Sequence, residues 1–183
     1  MSDSWLHPPA PGLPPLFGEQ HECAACGLVY AALPVPSALG LVAGVVVELG
    51  SLLPQVPDAL LRRRLRAGQW SALEYAAHVR DVLQTFTVRV HRGVVEDRPA
   101  LEPMYSDWRA ERFGYNAAEA ADVVSGMRVA ADGFVAEAAA VPDDAWDRLV
   151  TRLPSETRTV RWLVRQAAHE AVHHRDDIRR LVG

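Results

Sequence analysis

Four long segments of this 183-residue chain repeat their apolar residues with the period of an α-helix. They cover about 37–53, 71–96, 117–140 and 158–182, and a shorter helical piece lies near 57–66. Pro54, Pro142 and Pro154 mark boundaries, because proline cannot continue a helix beyond its first turn. No convincing alternation of apolar and polar residues indicates a strand. The pattern therefore predicts an all-α bundle of four helices within residues 37–183.

Two details of this bundle follow from the residues between the helices. The connection from about 97 to 115 is long for a bundle joined only by short hairpins, so we expect a crossover between non-adjacent helices. Asn116 and Glu119 have the spacing of a capping box, which predicts the start of the helix at about 117.

Residues 1–36 are rich in proline, which blocks helix and predicts an irregular arm that the helical fold does not require. The arm contains a C-x-x-C-G knuckle at Cys23 and Cys26, a spacing that suits tetrahedral zinc. Strong specificity for zinc needs a second knuckle, and the chain has only 2 cysteines. His21, together with His7, would complete a structural site that fastens the arm to the bundle. Free reduced thiols are the alternative.

Composition limits the partners of the chain. Its 19 basic residues are all arginines against 23 acidic residues, so no nucleic-acid partner is expected. The first residues lack the basic start and following apolar run of a signal peptide, so we expect none. The most apolar stretch, 38–53, contains Glu48 and is shorter than the roughly 20 residues that span a bilayer. We expect a cytoplasmic protein without a membrane partner, whose apolar helix is buried and also suits a homodimer interface.

The last predicted helix holds an unusual density of metal-ligand side chains. His169 and His173 are four residues apart, and so are Glu170 and His174, so either pair could bind one ion from one helix face. A rotation of about 100° per residue places Glu170 and His174 on the shoulder of the apolar stripe, with the other pair roughly opposite. Ligands within a bundle must project inward, which favours Glu170 and His174 and leaves His169 and His173 as flanking groups.

The same letters also form H-E-x-x-H, the zinc-protease motif in which the glutamate is a general base. Those enzymes take a third ligand from downstream, where this chain offers only Asp176 and Asp177. A third ligand must therefore come from upstream. His78 lies at the edge of the apolar stripe of the helix predicted at 71–96, where a histidine is either an ordinary side chain or a ligand.

The run W-S-x-x-E-x-x-x-H-x-x-D from Trp70 to Asp81, with the late H-R-x-x-I, resembles the DinB/YfiT-like superfamily of metal-binding four-helix bundles. Most members supply two histidines from the late helix, and the corresponding positions here are Glu170 and His174. The resulting E-x-x-x-H-R-x-D is similar to the branch of mycothiol-dependent maleylpyruvate isomerase. The resemblance implies a DinB-like bundle with a metal site of His78, Glu170 and His174.

Such a site suggests its own chemistry. Three protein ligands on zinc leave one coordination position open. Nickel and iron are alternative metals for the same ligands. A thiol bound there loses its proton and becomes a strong nucleophile, which predicts a thiol-dependent, mycothiol-type transferase or isomerase acting on a small electrophile. Bound water would instead predict a hydrolase, and a non-catalytic binding protein is a third reading. Asp81 and Asp177 each follow a predicted histidine ligand by three residues, so they are candidates to orient a ring or accept a proton.

Overall fold

The computed structural model describes residues 14–152 and 156–183, and helices form most of its secondary structure. Its elements in chain order are α1 Val35–Leu52, α2 Asp58–Leu61, α3 Ala72–Val95, α4 Ser106–Arg112, α5 Ala120–Ala139, β1 Leu149–Thr151, β2 Thr157–Thr159 and α6 Val160–Val182. The four long helices α1, α3, α5 and α6 form the bundle, which confirms the predicted fold class. Short 3₁₀ turns connect several of the elements.

The helices are not arranged around the bundle in sequence order. Both α1 and α3 pack mainly against α5 and α6. The long helices α1 and α3, which follow each other in sequence apart from the short α2, therefore lie on one diagonal of the bundle. Helices α5 and α6 lie on the other. The predicted crossover is present, but it is not at residues 97–115, because that connection joins α3 to its close neighbour α5. The crossings occur between α1 and α3 and between α5 and α6.

A short antiparallel ribbon precedes α6. Leu149 of β1 lies opposite Thr159 of β2, and each strand has only 3 residues, too few to produce a visible alternation in the sequence. The backbone N–H of Leu101 donates to the carbonyl of Thr151 at 2.7 Å, which joins the long connection to the ribbon. Thr159 also caps α6, because its side chain accepts a hydrogen bond from the N–H of Trp162.

A capping box fixes the start of α3. Ser71 Oγ accepts from the N–H of Glu74 at 3.2 Å, and Glu74 Oε2 accepts from the N–H of Ser71 at 2.8 Å. Arg64 adds two hydrogen bonds to the same carboxylate, which is completely buried. The Ser-x-x-Glu part of the motif at Trp70 therefore sets the position of the helix that carries His78.

The capping box predicted at Asn116 and Glu119 is wrong. Helix α5 begins at Ala120, with Glu119 as its N-cap and no side-chain cap. Ala118 has extended backbone angles, which separate the 3₁₀ turn around Asn116 from α5. The Asn116 side chain instead accepts from Ser71 Oγ at 2.7 Å, so it supports the start of α3.

Replacing Glu74 by alanine should lower the free energy of unfolding by about 1.5–3 kcal/mol, because buried donors lose a charged acceptor. Burial alone would raise the pKa of Glu74, but hydrogen bonds from Arg64 and Ser71 outweigh it and hold the pKa below its ordinary value. The stabilisation is therefore present above the unfolded pKa of about 4.3 and is lost as pH falls through the lower folded pKa.

Urea unfolding of wild type and Glu74→Ala at neutral and acidic pH measures this difference. Asp58→Ala is the matched control, because it removes an exposed carboxylate that pairs with Arg62 four residues away. The difference between wild type and Glu74→Ala should shrink at acidic pH. Equal effects of the two substitutions at neutral pH would contradict the assigned role of the capping box.

The described part of the arm packs onto the bundle. Leu28, Tyr30 and Leu33 are buried and belong to the main hydrophobic core. Leu28 and Tyr30 lie on the second half of a hairpin, in which the N–H of Tyr30 donates to the carbonyl of His21 at 2.9 Å. Among its described residues the segment before Val35 contains only the 3₁₀ turn Tyr30–Ala32 and no α-helix, yet it contributes side chains to the core. Removing the arm should therefore destabilise the bundle. His7 lies outside the described residues.

Helix α1 is the most apolar helix. The segment Val35–Gln55 is long and apolar enough to cross a membrane by length and composition alone. In the bundle, however, Ala38, Val42 and Leu49 are completely buried against the other helices. The helix is therefore part of the core, as the sequence predicts. Its opposite face exposes Val47, and the homodimer interface there stays a prediction.

Candidate metal centre

Three donor side chains meet between α3 and α6. His78 comes from α3, and Glu170 and His174 come from adjacent turns of α6; one ligand atom of each lies within 4.8 Å of the others. Glu170 Oε2 is 3.4 Å from His78 Nε2 and 3.2 Å from His174 Nε2. These are the three residues that the sequence analysis selects, and we call them the bundle site.

Neighbouring side chains hold the bundle-site donors in place. Gln166, one turn before Glu170, donates from Nε2 to Glu170 Oε1 at 2.6 Å and leaves Oε2 facing the two imidazoles. Asp177 Oδ2 lies 2.9 Å from His174 Nδ1, so the carboxylate accepts from Nδ1–H and directs Nε2 toward Glu170. Asp177 thus occupies the ring-orienting position that its spacing predicts.

Two aromatic rings cover one side of the bundle site. Tyr75 stacks on His174, with ring centroids 5.0 Å apart and planes 28° from parallel. Trp70 lies against His78 at 5.0 Å. Tyr75 is not among the residues predicted from the sequence, although its position three residues before His78 places it on the same helix face. The side chains of Glu170 and His174 remain 23% and 16% exposed, so solvent reaches the group.

Asp81 does not contact His78 in the described hydrogen-bond network. Its carboxylate accepts hydrogen bonds from the Tyr115 hydroxyl and from Arg80, and Arg109 lies 3.5 Å away. It therefore attaches the connection between α3 and α5 to the bundle. His78 Nδ1 is buried without a hydrogen-bond partner among the described residues. Spacing along α3 could not reveal partners of Asp81 that come from a separate segment.

The bundle site without metal is an ion pair. Burial would raise the pKa of Glu170, but hydrogen bonds from His174 and His78 hold it well below its ordinary value. Burial would lower the pKa of His174, but hydrogen bonds to Asp177 and Glu170 raise it to about 9. One carboxylate and two imidazoles on converging helices fit a divalent cation, which would replace the proton that His174 carries in the ion pair.

A second group of donors lies where the arm meets α6. It consists of Cys23, Cys26, His169 and His173, with one ligand atom of each within 4.8 Å of the others. From the sequence we expect the two histidines to be flanking groups and His21 to lie beside the cysteines. In the structure His21 is not in the group, because its ring stacks on Phe17 with centroids 3.8 Å apart. We call the four residues the arm site.

Comparisons with known proteins show which folds resemble this one. The fold is similar to that of YfiT from Bacillus subtilis, a probable metal-dependent hydrolase with an unusual four-helix bundle topology. The TM-score is 0.74 at 16% identity, over 80% of this chain and 85% of YfiT. No curated protein matches the sequence significantly.

The fold is also similar to mycothiol-dependent maleylpyruvate isomerase, with a TM-score of 0.64 at 17% identity over 81% of this chain. A mutant of that enzyme gives a TM-score of 0.66 at 15% identity. The chain spans 62% of the isomerase's length. Residues 47–178, well over half of the chain, match the family description DinB superfamily. The protein therefore belongs to the DinB superfamily.

Proposed function

We propose that this protein is a metal-dependent enzyme that activates a small thiol and uses it to transfer a group to, or isomerise, a small electrophile. One observation carries the proposal: the bundle site has three donors, and no fourth described residue joins them. A divalent ion held by three protein ligands keeps an open position and lowers the pKa of a thiol or water bound to it, which supplies a nucleophile at neutral pH.

The surrounding residues have separate tasks in this proposal. Gln166 and Asp177 fix the directions of the Glu170 carboxylate and the His174 ring, so the ligands need no reorganisation when substrate binds. Trp70 and Tyr75 exclude water from one side and offer an apolar surface to the substrate. Zinc is the proposed metal, with nickel and iron as alternatives, because a carboxylate and two imidazoles suit all three.

Two of the similar structures favour different nucleophiles. A thiol co-substrate is supported by the fold of mycothiol-dependent maleylpyruvate isomerase and by the carboxylate at Glu170. Hydrolysis is the second candidate, because YfiT has the higher TM-score and matches over more of its length. The proposed location is the cytoplasm, where Cys23 and Cys26 would stay reduced.

Calorimetry of the metal-loaded protein with mycothiol and with a simple thiol tests the proposal. In buffers of different ionisation enthalpy, binding should release about one proton per thiol, because the thiol binds as thiolate. His174→Ala should lose this binding, and His91→Ala is the control because His91 lies on the exposed side of α3. Hydrolysis of an activated ester without any thiol binding would overturn the thiol proposal and favour the hydrolase.

A further inference from the structure

The arm site joins two parts of the chain that are distant in sequence. Its cysteines lie in the hairpin of the arm, and its histidines lie on consecutive turns of α6. We propose that the arm site binds one zinc ion through all four residues, as a closed structural site that fastens the arm to α6. This proposal does not depend on the proposed function, because it uses none of the bundle-site ligands.

The observed separation of two donors agrees with tetrahedral zinc. Cys23 Sγ lies 3.6 Å from His173 Nδ1. Zinc bonds of about 2.3 Å to sulfur and about 2.0–2.1 Å to nitrogen place such atoms about 3.5–3.6 Å apart. The hairpin turn is already formed, since the N–H of Gly27 donates to the carbonyl of Cys23 at 2.8 Å. Gly27 has a φ of +73°, a left-handed conformation that favours glycine.

Hydrogen bonds fix which nitrogen of His169 is available to the metal. The Glu170 carboxylate accepts from Gln166 Nε2, so Gln166 Oε1 must face the other way, where it accepts from the Tyr30 hydroxyl at 2.6 Å. The Tyr30 oxygen, its proton already donated, lies 2.9 Å from His169 Nδ1 and must accept from Nδ1–H. His169 Nε2 therefore carries a lone pair.

That lone pair has no partner in the described part of the chain. His169 Nε2 is buried and makes no hydrogen bond there, an arrangement that is unfavourable for a polar atom. Zinc bound to Nε2 would satisfy it. The His21 ring lies beside the His169 ring, with centroids 5.2 Å apart. A deprotonated, buried and unpaired imidazole nitrogen beside two cysteines is the expected state of a ligand before the metal binds.

The same hydrogen bonds connect the arm site to the bundle site. They run from His169 through Tyr30 and Gln166 to the Glu170 carboxylate. Zinc in the arm site would fix the His169 ring and, through this series of hydrogen bonds, the orientation of the Glu170 carboxylate. Four protein ligands leave no open position, so the arm site itself is structural rather than catalytic.

Metal content and the cobalt(II) spectrum of the purified protein test the proposal. Wild type should bind two metal ions per chain, and Cys23→Ser and Cys26→Ser should each bind one. Cobalt in the arm site should give a thiolate-to-cobalt charge-transfer band, because cysteine sulfur is a ligand there. Both cysteine variants should lose the band, whereas His174→Ala should lose one metal ion and keep the band.

Several variants make the test decisive. The His173 side chain is 31% exposed, so His173→Gln should fold and lose the same metal ion even if the cysteine variants do not fold. His21→Ala and His91→Ala should keep both metal ions. A wild-type protein without the charge-transfer band would overturn the arm site while leaving the bundle site intact. Loss of the band in His21→Ala, with retention in His173→Gln, would also overturn the proposed ligand set.

Discussion

Replacing Glu170 by alanine is expected to remove the metal from the bundle site and abolish activity, because losing a direct ligand should cost more than the roughly 10–100-fold in metal affinity that losing a ligand's hydrogen-bond partner costs. Glu170 is the shared partner of the site, because its Oε2 faces both His78 and His174. The two remaining imidazoles would bind a divalent ion weakly. His78→Ala and His174→Ala should have the same effect, and metal analysis after dialysis, followed by activity assays, measures it.

Glu170→His is the informative companion variant. It replaces the carboxylate by an imidazole on the same face of α6, so metal binding should be retained with a set of three histidines. His173→Ala should leave the bundle metal in place, because His173 belongs to the arm site. If Glu170→Ala retained the full metal content of wild type while His169→Ala and His173→Ala lost all metal, the H-E-x-x-H pair would be the true site.

Replacing Tyr30 by alanine should lower the free energy of unfolding by about 3–5 kcal/mol, the range for removing a large buried aromatic side chain. Tyr30 is completely inaccessible to solvent, although it lies in the proline-rich arm. The substitution would leave a cavity beside α6 and remove the acceptor for His169 Nδ1 and the donor to Gln166. Urea unfolding with circular dichroism measures the change.

Tyr30→Phe separates packing from hydrogen bonding. It keeps the ring but removes the hydroxyl, so it should cost about 1–3 kcal/mol for the two groups left unpaired. Val47→Ala is a surface control, since Val47 is 69% exposed on α1. If Tyr30→Ala destabilised the protein no more than Val47→Ala, the arm would be dispensable, as its composition alone predicts.

Helical periodicity is a better guide to the bundle site than the H-E-x-x-H motif is. The 3.6-residue period of α6 distinguishes Glu170 and His174 from the more conspicuous His169 and His173, because only one pair faces α3. Resemblance to the family adds His78 from a separate helix. The structure brings these three side chains together. Their positions could be anticipated because the face that a residue occupies depends on helix geometry, which is local in sequence.

Contacts between distant segments are the part that the sequence does not reveal. Cys23 and His173 are 150 residues apart, and nothing in either motif indicates that the arm packs on α6. Two partners of Asp81, Tyr115 and Arg109, likewise come from the separate connection after α3. The spacing of a capping box alone also does not show where a helix begins. Ser71 and Asn116 are each followed three residues later by a glutamate, but only Ser71 is the N-cap of a helix.

An anomalous-diffraction crystal structure of the zinc-loaded protein would test the bundle site most directly. We expect a zinc peak about 2.0–2.2 Å from a Glu170 carboxylate oxygen and from Nε2 of His78 and His174, with one coordination position not filled by protein. A second peak should lie in the arm site. Absence of zinc between α3 and α6, or zinc bound there without Glu170, would contradict the assignment of the bundle site.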